Sequence, residues 1–241
     1  MKNSYLKFFF LSLFIFLLYS SGGFSQSLKG DGNVVKEIKY VEPFDKIVLN
    51  GIVNLFLKQG DNEKVEIETD KNLIPYIEIK SSDKTLEITT GKNADIKSST
   101  KLNAYITLKN INEIELNSVG NLKSTGKLEL NDINIESNSI GNIELDIDCN
   151  KLILECNSIG NVTLSGNADN VDIQQNSIGN VKAFDLKADK LKIENNSIGN
   201  SEVYSDKEIY ITLNGTGNIS YSGSAAVKKL EKNGIGSVKK Q

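Results

Sequence analysis

The chain has 241 residues, with 28 basic and 31 acidic side chains and a formal charge of −3. It contains no histidine, no arginine and no tryptophan. These absences exclude a serine triad, a histidine-ligated metal and a histidine general base. Without arginine or a basic stripe, nucleic acid is a poor partner. We therefore predict no catalytic residue, no metal and no cofactor.

An export signal is predicted over residues 1–25. Two lysines precede an apolar run over residues 8–19, and Gly23 and Ser25 are small residues suited to a cleavage site at the end of the segment. The run is shorter than a membrane span, so no transmembrane anchor is predicted in the mature chain. The protein is predicted to be exported, and a periplasmic, cell-surface or extracellular location fits equally well.

Residues 26–110 are predicted to form β-strands without a regular repeat. Segments such as 53–59 and 86–88 alternate apolar and polar residues and are separated by turn residues. Such alternation is typical of strands with one wet face. We expect these residues to begin the sheets of the rest of the chain in less regular coils, and to cover the first edge of the stack.

A five-residue phrase recurs seven times over residues 111–237. It reads N-S-V-G-N in the first copy, N-S-I-G-N in the next four, and N-G-T-G-N and N-G-I-G-S in the last two. The steps between its fourth-position glycines are 18 to 21 residues long, and these glycines are Gly120, Gly141, Gly160, Gly179, Gly199, Gly217 and Gly236. A period that regular indicates a solenoid, in which one unit stacks on copies of itself.

Each repeat carries apolar residues at fixed distances from its glycine. They stand eight and six residues before it, one before it and two after it, as Val171, Ile173, Ile178 and Val181 do around Gly179. Apolar β-branched residues two apart predict strands. About 19 residues are too few for a strand, a helix and their loops, so an all-β parallel β-helix is predicted, as one domain over residues 26–241. These aliphatic residues are expected to fill its interior.

We interpret the phrase as the turn at one corner of each coil. Glycine adopts positive φ without steric cost, and asparagine tolerates the left-handed region. Asparagine stands three before the glycine in all seven copies, which predicts a ladder of stacked amides. The alternative is that seven aligned asparagines line a ligand groove.

An acidic stripe is predicted five residues before each glycine. Its members are Glu115, Glu136, Glu155, Glu194 and Glu231, with Gln174 and Thr212 interrupting it. These side chains lie between inward positions and are expected to face outward. Stacked like charges cost a few tenths of a kcal/mol per pair, on the order of magnitude of cross-strand pairs. A solvated face with nearby lysines is the simpler interpretation, and a cation or a basic partner is the alternative.

Three further features complete the prediction. Tyr210 is at an outward position near Tyr204 and Tyr221, so it is a candidate for a carbohydrate platform or an ordinary surface residue. Cys149 and Cys156 are predicted to be free thiols, although an exported protein is permitted disulfides. The lysine-rich last repeat is expected to cap the stack.

The chain resembles the head GIN domain family of auto-transporter adhesins, which is common in secreted proteins of Bacteroidetes. The resemblance lies in the segment PFDKI at residues 43–47, the Asn-Gly pair at 50–51, and the glycine-centred turns from Gly120 onward. It implies a right-handed parallel β-helix of the pectin-lyase kind, no known catalytic residues and a role in cell adhesion.

The leading functional hypothesis is a non-catalytic exported protein that binds a glycan, protein or other surface along its long faces. A periplasmic structural or envelope-associated accessory protein is the alternative. A carbohydrate-active enzyme with two carboxylates is less favoured. A homo-oligomer is compatible with the sequence.

Overall fold

A computed structural model describes residues 26–91 and 94–241. The predicted export signal at residues 1–25 lies outside them. Within these ranges the chain is nearly all β, with one short 3₁₀ helix, Lys71–Tyr76, and no helix is long and apolar enough to cross a membrane. The strands are β1 Gln26–Lys29, β2 Val34–Tyr40, β3 Lys46–Ile52, β4 Asn54–Gln59, β5 Lys64–Asp70, β6 Ile77–Ser82, β7 Thr85–Thr90, β8 Ala94–Ser98, β9 Leu102–Leu108, β10 Glu113–Val119, β11 Leu122–Glu129, β12 Asp132–Ser137, β13 Ile143–Cys156, β14 Val162–Gln175, β15 Val181–Asn195, β16 Ser201–Leu213, β17 Ile219–Ser222, β18 Ala226–Lys232 and β19 Val238–Lys240.

The strands stack into two long ladders that form a β-solenoid of about seven turns, which confirms the predicted fold class. The first ladder runs β7, β3, β10, β12, β13, β14, β15, β16, β18, with every neighbouring pair parallel. The second runs β9, β4, β11, β13, β14, β15, β16, β17, β19, again in parallel. Strands β13 to β16 are long enough to belong to both ladders, because each passes from the second to the first.

The amino-terminal coils do not stack in chain order. Strand β3 lies between β7 and β10, and β4 lies between β9 and β11. Antiparallel strands then close this end: β6 pairs with β7, and β5 pairs with both β2 and β9. An antiparallel pair needs only a short connection, so the chain can turn back and cover the first edge of the stack.

The interior is filled by aliphatic ladders, as predicted at three of the four apolar positions. In the coil of Gly179 the residues eight and six before the glycine and two after it, Val171, Ile173 and Val181, are all buried. The prediction was wrong at the fourth position, because Ile178 is exposed. Side chains alternate along an extended chain, and a residue one before the glycine has the opposite parity to those six and eight before it.

The repeat glycines are required mainly by how closely the coils approach. Gly160 has φ +156°, so the predicted positive φ is present. In addition, a Cβ on Gly160 would overlap the backbone carbonyl oxygen of Gly141 one coil earlier, and the same relation recurs up the stack. Any side chain at this position would therefore force two coils apart.

The last coil is open to solvent. Strand β18 is the last strand of the first ladder, and all seven of its residues are exposed. Lys228, Lys229 and Lys232 lie along it. Charged side chains on an edge strand oppose pairing with another chain, in agreement with the predicted capping role.

Candidate binding groove

One side of the solenoid carries a row of exposed aliphatic residues, here called the isoleucine row. From Val119 onward its members stand one before each repeat glycine and are joined in sequence by parallel β-bridges, and Ile52 pairs in register with Val119. The aliphatic members are between 44% and 75% exposed. The row consists of Ile52, Val119, Ile140, Ile159, Ile178, Ile198, Thr216 and Ile235.

The isoleucine row lies in a long open groove, here called the corner groove, formed by the stacked N-S-I-G-N phrases. The residues that line it are asparagine, serine, isoleucine, valine, threonine and glycine, and none of them is charged. Charged residues make up 24% of the chain. An uncharged strip across eight coils is therefore a distinct surface, suited to a partner that presents apolar and neutral groups.

The first wall of the groove is the predicted asparagine ladder, which is confirmed. Each side-chain Nδ2 donates to the Oδ1 of the asparagine one coil earlier, over distances of 2.7 to 3.4 Å. The ladder consists of Asn50, Asn117, Asn138, Asn157, Asn176, Asn196, Asn214 and Asn233. These amides hold neighbouring coils together, so they are a structural wall.

A second asparagine ladder, not predicted, follows the glycines. The backbone N–H of Asn180 donates to Oδ1 of Asn161 at 3.1 Å, and the side-chain Nδ2 of Asn180 donates to the same oxygen at 3.1 Å. The backbone bond recurs from Asn121 to Ser237. The signal was present in the sequence, because asparagine follows the glycine in six of the seven copies.

Behind part of the isoleucine row the interior is polar. The hydroxyls of Ser137 and Ser139 are buried and lie 2.7 Å apart. In later coils Asn195 is buried, accepts from the Ser197 hydroxyl at 2.7 Å, and donates to the Ser201 hydroxyl at 2.9 Å. In these coils the chain thus buries serine and exposes isoleucine. Folding alone favours the reverse, since burial of apolar surface stabilises and burial of polar groups does not.

The acidic stripe borders the first wall and faces outward, with its members stacked in register. Glu115, Glu136, Glu155 and Glu194 each accept a hydrogen bond from the ladder asparagine two residues later, at 2.8 to 3.1 Å. Glu231 instead pairs with Lys229 at 3.0 Å. Lys46 also lies 3.4 Å from Glu115, so two lysines pair with members of the stripe, while the asparagine amides satisfy carboxylate acceptors without cancelling their charge. Among the described residues, no three carboxylate or thiol groups come together as a metal site would require.

Tyr210 is exposed on the first ladder, and its register partners on the two neighbouring strands are Lys192 and Lys229. Tyr204 belongs to the second ladder and donates to Asp206 at 2.8 Å. Tyr221 is partly buried against the core. The three tyrosines do not form the flat platform that the carbohydrate hypothesis requires.

The two cysteines are not joined, as predicted. Cys156 is buried at a core position and Cys149 is half-buried. Burial raises the pKa of the Cys156 thiol to about 12 and that of Cys149 to about 11. Both therefore stay protonated at neutral pH, where a thiol is a poor nucleophile.

Comparison with known proteins gives a family and a fold. The family model described as "Putative auto-transporter adhesin, head GIN domain" matches residues 43–225. Three similar crystal structures are described as adhesins or as a lipid-binding protein. A putative adhesin from Bacteroides fragilis is 24% identical, with a TM-score of 0.85, and the match covers 89% of this chain and 100% of that one. A putative adhesin from Parabacteroides merdae is 22% identical, with a TM-score of 0.65 over 90% of this chain and 99% of that one. A putative lipid binding protein from Parabacteroides distasonis is 21% identical, with a TM-score of 0.65 over 90% of this chain and 100% of that one. Among curated proteins, none matches the chain.

Proposed function

We propose that this chain, which belongs to the head GIN domain family of auto-transporter adhesins, is an exported, non-catalytic adhesion protein. The corner groove is its binding surface. The observation that carries this proposal is the isoleucine row, which exposes an aliphatic side chain on nearly every coil, while Ser118, Ser139 and Ser197 are buried next to it. Exposed apolar strips of this extent mark interaction surfaces.

The residue types that line the groove are suited to binding. Its lining contains no nucleophile held beside a base, no carboxylate and no lysine. The asparagines of the first wall already donate to each other and to the acidic stripe. What remains for a partner is apolar contact along the row, with spare amide oxygens at its margins. The groove is therefore suited to an extended partner with an apolar face.

The expected strength follows from the exposed area. Seven aliphatic side chains, each about half exposed, contribute roughly 5 to 10 kcal/mol of binding free energy when a partner covers them. Association of two molecules costs roughly 4 to 15 kcal/mol in lost translational and rotational freedom. A single copy thus binds weakly, and firm attachment arises when many copies act together on one surface. This is the behaviour that an adhesion protein requires.

Attachment of cells tests this function. Cells that produce the wild-type chain are compared with cells that produce the double variant Ile159→Asp/Ile178→Asp, on glass coated with mucin, with collagen or with the purified wild-type chain. We expect about tenfold fewer attached cells for the variant, since two charges in the groove oppose apolar contact. Ile153→Asp is the matched control, because Ile153 is an isoleucine of the same coil on the outer side of the first ladder. Equal attachment of all three strains on every coating would contradict the proposal.

The location requires a separate test. Proteinase K is added to intact cells and to cells whose outer membrane has been opened. Digestion on intact cells is expected of an adhesion protein. Protection until the membrane is opened would contradict adhesion and favour the alternative, a periplasmic envelope-associated protein.

A further inference from the structure

We infer that the partner of the corner groove is a second copy of this chain, bound groove to groove along the isoleucine row. The inference rests on the proposed function, because it names the partner of the same surface. It follows from three properties of the row: its spacing, its lack of charge and its area.

Spacing is the most selective of the three. Neighbouring members of the isoleucine row lie on adjacent coils, so they repeat at about 4.8 Å for the length of the stack. A partner that contacts every member must present groups at the same interval along a straight line. A second copy of this solenoid does so because it carries the same row with the same spacing. A two-fold axis lets each copy offer the same surface to the other, as in most homodimers.

Charge permits this contact. The chain carries a net charge of −3, so the net charges of two copies repel each other weakly. The corner groove does not add to this repulsion because none of its lining residues is charged. The carboxylates of the acidic stripe keep their charge but lie outside the groove lining, beyond the asparagine ladder that donates to them. Two grooves can therefore meet without burying an unpaired charge, which would oppose association strongly.

Area sets the expected affinity. The groove spans eight coils, or about 35 Å, and the five-residue phrase is about 16 Å wide, which is a flat footprint of about 550 Å² on each copy. Two footprints give about 1,100 Å², just below the range of about 1,200 to 2,000 Å² for stable interfaces. The dimer is thus expected to be weak and to depend on concentration. On two facing surfaces that carry many copies, such pairs add together.

Sedimentation equilibrium of the purified protein tests the inference. Between about 1 µM and 1 mM, the range in which weak complexes form, the mean mass of the wild type is expected to rise from one copy toward two. The double variant Ile159→Asp/Ile178→Asp is expected to stay at one copy, with circular dichroism unchanged because both residues are exposed. Ile153→Asp is expected to dimerise as the wild type does. A wild type that remains at one copy throughout, or a double variant that dimerises normally, would overturn the inference.

Two further measurements distinguish a second copy of the chain from acyl chains as the ligand of the groove. In oxidising buffer, Ile159→Cys is expected to form a disulfide-linked dimer with itself if the solenoids run parallel, and with Ile178→Cys if they run antiparallel. Either cross-link supports the inference. The third result would be a wild type that keeps the mass of one copy and floats with phosphatidylcholine vesicles, while the double variant does not float. That result would assign the groove to acyl chains and overturn the inference. These results are independent of cell attachment, so failure here leaves the proposed adhesion function to its own test.

Discussion

From Gly120 to Gly236 each coil repeats the contacts of its neighbour, whereas the amino-terminal coils are held by contacts that occur once. The repeated contacts are neutral: aliphatic ladders inside and asparagine ladders outside. The single contacts involve charge. The buried carboxylate of Asp70 accepts from the backbone N–H groups of Gly32 and Thr100, both at 2.7 Å, and from the Thr100 hydroxyl at 2.8 Å. Stacking thus needs only repetition, but closing the end of a stack needs specific partners.

Glu68 is the second charged contact of the amino-terminal end. It accepts from Lys101 at 2.9 Å and from the Tyr105 hydroxyl at 2.9 Å. The hydrogen bond from Lys101 is the main reason that the pKa of Glu68 falls from its ordinary value of 4.5 to about 2. Tyr105 also stacks on Phe56, with ring centroids 4.9 Å apart. This cluster joins β5 to β9 and β4, where strand order departs from chain order.

The largest expected effect concerns the repeated core. Ile173 is fully buried in the middle of the first ladder, so Ile173→Asp places an unpaired carboxylate there and is expected to cost more than about 5 kcal/mol and unfold the stack. Thermal circular dichroism checks this. Ile153→Asp, on the outer side of the same ladder, is the control and should cost about 1 kcal/mol. An unchanged melting temperature for Ile173→Asp would refute the stacked core.

The next effect concerns the close approach of coils. Gly160→Ala is expected to cost about 3 kcal/mol or more, because the new Cβ overlaps the carbonyl oxygen of Gly141. Gly126→Ala is the control. Gly126 also has positive φ, at +128°, but has open space around its Cβ position, so about 1 kcal/mol of backbone strain is expected there. Equal losses of unfolding free energy in the two variants would show that φ, rather than coil contact, selects glycine.

Acid distinguishes the two regions. Because the pKa of Glu68 is lowered in the folded state, its contribution of about 3 kcal/mol is present above pH 4.5 and is lost as the pH falls toward 2. Hydrogen exchange measured at pH 5 and at pH 2.5, after correction for intrinsic rates, should show β5 and β9 losing protection before β14 and β15. In Glu68→Gln the difference between the two pH values should shrink. Uniform loss of protection along the stack would contradict this division.

The smallest of these effects concerns the asparagine ladder. Asn157→Ala removes donor bonds to Asn138 and Glu155 and the acceptor of Asn176. Each exposed bond contributes little, so a loss of about 1 kcal/mol is expected in urea unfolding. Asn233→Ala, at the end of the ladder, removes only the bond to Asn214 and should cost less. The reverse order would show that the ladder does not act through coil-to-coil bonds.

The regular part of the fold could be predicted from the sequence because its contacts repeat with the period of the phrase. The glycine spacing predicted the coils, and the asparagine three before it predicted the first ladder. The order of β3 and β7 could not be predicted, since neither strand carries the phrase and pairing between distant strands leaves no periodic signal. Asp70 was missed for the same reason, as its partners lie about 30 to 40 residues away.

The isoleucine row was assigned to the core by one assumption about parity. Ile178 and its equivalents were assigned to the core because they are aliphatic and recur with the period. Their odd distance from the buried positions before the glycine already placed them outside. The acidic stripe and Tyr210 were selected because charged and aromatic residues stand out in a sequence. An exposed isoleucine is recognised only once its direction is known.

The most direct test of the central claim is the urea unfolding midpoint of Ile159→Ser/Ile178→Ser. If the isoleucine row exists for binding, both side chains contribute little to folding, and the midpoint should match that of the wild type within about 0.5 kcal/mol of unfolding free energy. If instead the row packs into the solenoid, the two substitutions should together cost several kcal/mol, as buried isoleucines do. That loss would return the row to the core and remove the binding surface.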